Sequence, residues 1–139
     1  MRCAVFTATP RGTKTALRVR ASLDASVDIF GKAGQEMPAG VRVYERLAPQ
    51  VAAAFRQYDA LIFIMATGIA VRMIAGSLKS KLEDPAVLVL DEEAQHVISL
   101  LSGHIGGANA LTRELAASLG ADPVITTATD VQKKLADRK

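Results

Sequence analysis

Apolar positions along the chain fall into short unbroken runs separated by stretches with a three-to-four-residue period, a pattern that predicts strands and helices in turn. Residues 3–6 form a β-prone run. Residues 7–13, with their hydroxyls, one Pro and one Gly, read as a loop entering a helix that Thr13 caps. Ala16, Leu17, Arg20 and Leu23 keep helical spacing, 27–30 reads as a second strand, and glycine-rich 31–40 as an exposed loop. A short extended piece at 41–44 precedes a helical face of Val51, Ala54, Phe55 and Tyr58. Residues 60–65 are apolar without alternation, as a central parallel strand covered on both sides should be. Ile69, Met73 and Ile74 then carry a helix to Gly76. Runs 86–90 and 95–100 flank the acidic turn 91–94 and predict a hairpin. Leu111, Leu115 and Leu119 mark a helix over 108–119 that Gly120 stops, and 123–126 is a last strand.

Strands alternating with helices define an α/β fold: a three-layer α/β/α domain with a mainly parallel sheet and one antiparallel hairpin strand. The hairpin has two orientations available. The connection 78–85, about 26 Å if extended, is long enough to climb back along the sheet, so the first hairpin strand is expected antiparallel to 60–65 and the second parallel. That choice gathers three strand-end loops at one edge: Thr67-Gly68, residues 102–107, and residues 126–130. Ligands of open α/β sheets bind outside the carboxyl ends of strands.

Length and composition narrow the class. One domain is expected from 139 residues, here 1–131 followed by a charged tail at 132–139. Aromatic residues make up only 4% of the chain, which suits an aliphatic α/β interior. The formal charge of +3 is scattered, so no nucleic-acid stripe forms. The single Cys3 lies in an apolar run and reads as a small buried hydrophobe in a cytoplasmic protein. No apolar run is long enough to span a bilayer, and no membrane partner is expected.

Chemistry concentrates in Ser99-Leu-Leu-Ser-Gly-His-Ile-Gly-Gly-Ala-Asn109, a turn between strand and helix. Two of the loops run straight into helices, whose first N–H groups favour carboxylate or phosphate. The glycine spacing is neither a Walker loop nor a dinucleotide fingerprint. His104 is a general base, a hydrogen-bond donor or a structural residue. Ser102 is a nucleophile or a cap, Asp130 an orienting carboxylate or a cap, and Arg72 a partner for a ligand carboxylate or a solvated side chain. His96 defaults to exposed structure and Asp91-Glu92-Glu93 to a solvated turn; no metal site is expected.

Three blocks together resemble the N-terminal region of the CbiG family, the cobalt-precorrin-5A hydrolases of anaerobic cobalamin biosynthesis. They are Met65-Ala-Thr-Gly-Ile-Ala-Val-Arg72, Lys81-Leu-Glu-Asp-Pro-Ala-Val87 with Asp91-Glu92, and residues 97–109 with Pro123-Val-Ile-Thr-Thr-Ala-Thr-Asp-Val131. The likeness spans roughly 60–131; residues 1–58 fit only in pattern. The resemblance implies opening of a corrin-precursor lactone with release of acetaldehyde, on a substrate that brings its own cobalt, so no cofactor is expected. With it, His104, Ser102 and Asp130 become catalytic candidates. Thr67, Gly68, Arg72, Lys81, Gly103, Gly106, Gly107, Asn109, Thr127 and Thr129 become contacts for the anionic rim of a cobalt-corrinoid. The family continues into a C-terminal domain, so this chain is expected to be either an N-terminal piece or a stand-alone form with a separate partner. A homodimer is also allowed. The rival readings are a corrinoid-binding module without catalysis and a flavodoxin-like phosphate or nucleotide binder.

Overall fold

The computed structural model describes residues 1–103 and 106–128. In chain order the described elements are β1 (Arg2–Thr7), α1 (Pro10–Ser22), β2 (Ser26–Lys32), β3 (Arg42–Tyr44), α2 (Leu47–Gln57), β4 (Ala60–Ile64), α3 (Thr67–Ile74), β5 (Ala86–Leu90), β6 (His96–Leu101), α4 (Ala108–Leu119) and β7 (Asp122–Val124), with a single 3-10 turn, Ala75–Ser77, behind α3. The sheet order is β3-β2-β1-β4-β5-β6-β7. Each pair is parallel except β5 with β6.

Period-two burial splits the interior into two cores, one on each side of the sheet. Cys3, Val5, Ile62, Ile64, Leu88 and Leu90 face α1 and α4. Ala4, Phe6, Leu61, Phe63, Val87 and Val89 face α2 and α3. Strands with both faces apolar must be covered twice, and the expected three-layer α/β/α domain follows. On the second face Phe6 stacks between Phe30 and Phe63, with ring centroids 5.1 and 5.3 Å apart.

Two local expectations change. Helix α1 starts at Pro10, and its cap is Thr9, whose Oγ1 accepts from the Gly12 amide at 3.0 Å. Proline suits the first helical position because its missing N–H needs no partner there. Thr13 therefore lies inside the helix, buried, with its hydroxyl 2.8 Å from that of Thr7. The loop expected at 31–40 begins later, since β2 runs through Lys32.

The hairpin runs the other way round from the expectation. Strand β5 is parallel to β4, and β6 is antiparallel to β5. Helix α3 itself returns the chain to the amino edge of β4, and residues 78–85 do not climb back. They fold into a turn in which Asp84 accepts the Lys79 amide at 3.0 and 3.2 Å and the Glu83 and Asp84 amides bond to the Ser80 carbonyl. A folded turn has no reach to spend, so β4-α3-β5 closes as an ordinary crossover. Strand β7 pairs parallel with β6, so β6 and β7 both oppose the other five strands.

Candidate functional site

Reversal of the hairpin divides the expected site between two edges. Five residues of strand at about 3.3 Å each put roughly 17 Å between them. At the amino edge of β4 and β5 lie the turn after β6 and the segment after β7. At the carboxyl edge lies Thr67-Gly68. The single three-loop edge is therefore not formed.

The amino edge is the more tightly built. Strand β6 ends at Leu101, and Ser102 takes a left-handed φ of +61°, unusual for a residue with a side chain. Its hydroxyl donates to the Asp84 carbonyl at 3.3 Å, and its own carbonyl accepts the Ala108 amide at 3.0 Å. The Gly103 carbonyl accepts the Asn109 amide at 3.0 Å. The turn thus folds back to satisfy the first two N–H groups of α4, which removes them as donors to a ligand. Glycine is required by contact: a Cβ on Gly106 would stand 2.4 Å from that of Ser102, and one on Gly103 would stand 2.9 Å from Asn109 Oδ1. Gly107 needs it for its φ of +82°.

Asn109 fastens these pieces together. It is 4% exposed; its Oδ1 accepts from Ser99 Oγ at 2.7 Å and its Nδ2 donates to Thr127 Oγ1 at 3.1 Å. One buried amide therefore joins β6, α4 and the segment after β7. Thr127 stays beside the turn after β6, as expected, but at the edge away from Thr67, and Lys81 lies at this same edge, exposed in the turn that Asp84 closes. His104, Thr129 and Asp130 lie outside the described residues.

The carboxyl edge holds a cavity of about 450 Å³. Met65, Val89, Ile98 and Val124 give it apolar walls, and Thr67, Asp91, Glu92 and His96 stand at its polar side. Arg72 and Gly68 are exposed on the adjoining α3. Reading the hairpin with β5 parallel would have found His96 and Asp91 here, because it carries the acidic turn to the end of β4. Little of the acid is unoccupied. Burial pushes the Asp91 carboxyl up, but amides of His96, Gln95 and Glu93 donate to it and the balance lies below its ordinary value. Glu92 Oε1 accepts from Thr9 Oγ1 at 2.7 Å, and its carbonyl accepts from Thr15 Oγ1. Glu93 pairs with Arg11 at 3.6 Å. His96 Nδ1 lies 3.7 Å from an Asp122 oxygen. Among the described residues no group of three or more His, Cys, Asp or Glu side chains could hold a metal ion.

The fold is that of an α/β domain whose sheet carries a strained glycine turn at one edge and an apolar crevice at the other. The chain belongs to the cobalamin synthesis G N-terminal family, whose model matches residues 49–130. It is 53% identical over 131 residues to a cobalt-precorrin-5A hydrolase of Salmonella typhimurium, covering 94% of this chain and 36% of that protein. It is 62% identical over 81 residues to a protein of the same name from Priestia megaterium, covering 58% of this chain and 22% of the relative. Among solved structures, a cobalamin biosynthesis protein G homolog from Sulfolobus solfataricus superposes with a TM-score of 0.68 at 30% identity, over 90% of this chain and 36% of that one. The chain thus spans about a third or less of the length of these relatives.

Proposed function

We propose that this chain is the N-terminal domain of a cobalt-precorrin-5A hydrolase acting in cobalamin biosynthesis, opening the lactone of a cobalt-corrinoid precursor with release of acetaldehyde. The observation that carries the reading is 53% identity along nearly the whole chain to a protein of that name. The reaction is assigned to the amino edge. The substrate rim is anionic, and the carboxyl-edge crevice carries Asp91 and Glu92, which would repel it. The amino edge offers Lys81 beside the 102–107 turn.

Lactone opening needs a base to activate water, donors for the oxyanion, and an acid for the leaving oxygen. His104 is assigned as base and acid, with Ser102 or Asp130 orienting it. Amides of Gly106 and Gly107 serve the oxyanion or a substrate carboxylate, and Gly103, Thr127 and Thr129 border the substrate. Asn109 is reassigned from substrate contact to positioning, because both ends of its side-chain amide are engaged by Ser99 and Thr127. Thr67, Gly68 and Arg72, at the far edge, take no part in this chemistry. Cobalt arrives with the substrate, and no resident cofactor is invoked. No helix among the described residues is long and apolar enough to cross a membrane, and the reading assigns the reaction to the cytoplasm.

The test is acetaldehyde release from cobalt-precorrin-5A by this chain, alone and joined to the C-terminal remainder of the Salmonella relative. His104→Ala, folded by circular dichroism, is expected to lose about a hundredfold or more in rate. A normal rate in that variant would remove His104 as the base. A spectral shift of corrinoid bound to this chain alone, with acetaldehyde released only by the joined protein and at a normal rate when it carries His104→Ala, would make the domain a binding module; the small share of each relative that it spans gives that second reading its support.

A further inference from the structure

Among the described residues, one face of the sheet is only partly covered. On the α1/α4 side, α4 packs on β6 and β7. On the α2/α3 side the principal contacts of β6 and β7 are with strands alone. Alternation along β6 makes the contrast visible. Val97, facing α4, is 0% exposed, whereas Ile98 and Leu100, facing the other way, are only half-buried against the second core. Val124 on β7 continues that open floor, and Ile98 and Val124 line the 450 Å³ cavity. Thr67 lines the same cavity from α3, and Val71, one turn further along the same side of the helix, is 45% exposed. Leu78, beyond the 3-10 turn, is 46% exposed.

A contiguous exposed apolar surface with a polar rim marks an interaction site. Its occupant follows from chain length. The Salmonella relative aligns with 94% of this chain yet extends to nearly three times the aligned length, since the match covers 36% of it. The Sulfolobus structure shows the same proportion. The remaining polypeptide of such proteins is held beside this domain by its covalent link, and among the described residues the half-face of β6 and β7 is sheet surface that no helix layer covers. Asp91 and Glu92 at the rim set the charge that suits it.

We propose that the open face of β6 and β7, floored by Ile98, Leu100 and Val124 and walled by Val71, seats the C-terminal polypeptide that relatives of this chain carry, which meets it with apolar side chains flanked by lysine or arginine. The inference rests on family membership and covalent length, not on the assignment of His104, and its readout is binding rather than turnover. This chain and the C-terminal remainder of the Salmonella relative, produced together as two polypeptides, are expected to co-elute as one complex. Val71→Lys, at an exposed helix position that tolerates charge, and Ile98→Lys are expected to weaken that complex at least tenfold by titration. Val43→Lys, on the distant edge strand β3, is expected to leave it unchanged. Absence of a complex with the unaltered chain overturns the proposal, as does unchanged binding by Val71→Lys. Self-association of this chain that Val71→Lys and Ile98→Lys abolish overturns it in favour of a second copy as occupant. If Ile98→Lys does not fold by circular dichroism, Val71→Lys decides alone.

Discussion

The Ser102 hydroxyl donates to the carbonyl oxygen of Asp84 at 3.3 Å, and this contact ties the end of β6 to the turn that leads into β5. The glycine turn and the Lys81 segment thereby share one edge. The acidic hairpin turn, by the same antiparallel pairing, is delivered to the other. The glycine turn and the acidic crevice are thus kept at opposite ends of the sheet, so an anionic substrate held at the amino edge, as proposed above, stays clear of Asp91 and Glu92.

Asn109 should be worth more to stability than an ordinary polar residue. Its replacement by alanine removes two side-chain hydrogen bonds and strands a partly buried Ser99 hydroxyl, a loss of about 1–3 kcal/mol. Urea unfolding of Asn109→Ala, Ser99→Ala and the double variant should give a coupling of at least about 0.5 kcal/mol between the two positions. Strict additivity would mean that the bond at 2.7 Å contributes nothing.

Two glycines should respond to alanine in opposite directions. At Gly106 the new Cβ would stand 2.4 Å from that of Ser102, so the turn must open and acetaldehyde release by the joined protein should fall. At Gly68, in the first turn of α3, nothing lies within 4 Å of the new Cβ. Gly68→Ala should therefore stabilise by about 0.4–1 kcal/mol through the unfolded chain, seen as a raised melting temperature. A lowered one would show that the α3 terminus needs glycine for contact with something else.

The layers of this fold were legible because its periods are clear: the buried run of β4, the Leu111, Leu115 and Leu119 stripe, and the left-handed Gly120 after α4 all stand where spacing puts them. Strand direction across the hairpin was not legible. Both orientations satisfy the apolar pattern, and the deciding fact is a local one, the Asp84 carboxylate closing 79–84 into a turn. Misplacing that turn concealed the second site as well, because His96 and Asp91 border Thr67 only when β5 runs parallel to β4. The role of Asn109 was partly visible; its identity in a polar motif suggested ligand contact, while burial between Ser99 and Thr127 makes it a brace.

Asp91 gives the hairpin turn a pH dependence with a definite sign. Its folded-state pKa is lowered: burial raises it, but donation from the amides of His96, Gln95 and Glu93 outweighs that. The carboxylate is therefore favoured in the folded protein, and its contribution is present above the ordinary value of 3.8 and lost as pH falls through the lower folded value. Asp91→Ala should lower the urea midpoint at pH 7, and the gap to the unaltered protein should narrow as pH drops below about 4. An equal gap at both pH values would assign the effect to packing instead of charge.

Cys3 is the chain's one thiol, and its burial makes it a reporter of opening. It sits on β1 with no exposed surface, and burial raises its pKa from 9.0 to about 11. The thiolate is the reactive form. At pH 8 that pKa alone leaves about a hundredfold fewer thiolates than an ordinary cysteine, and contact with reagent requires β1 to leave the sheet. Alkylation by iodoacetamide should then be slow in the folded protein and should accelerate with urea in step with unfolding measured by circular dichroism, because β1, paired on both sides by β2 and β4, opens only with the core. Labelling that ran ahead of the circular dichroism transition would show that β1 opens locally while the rest of the sheet persists.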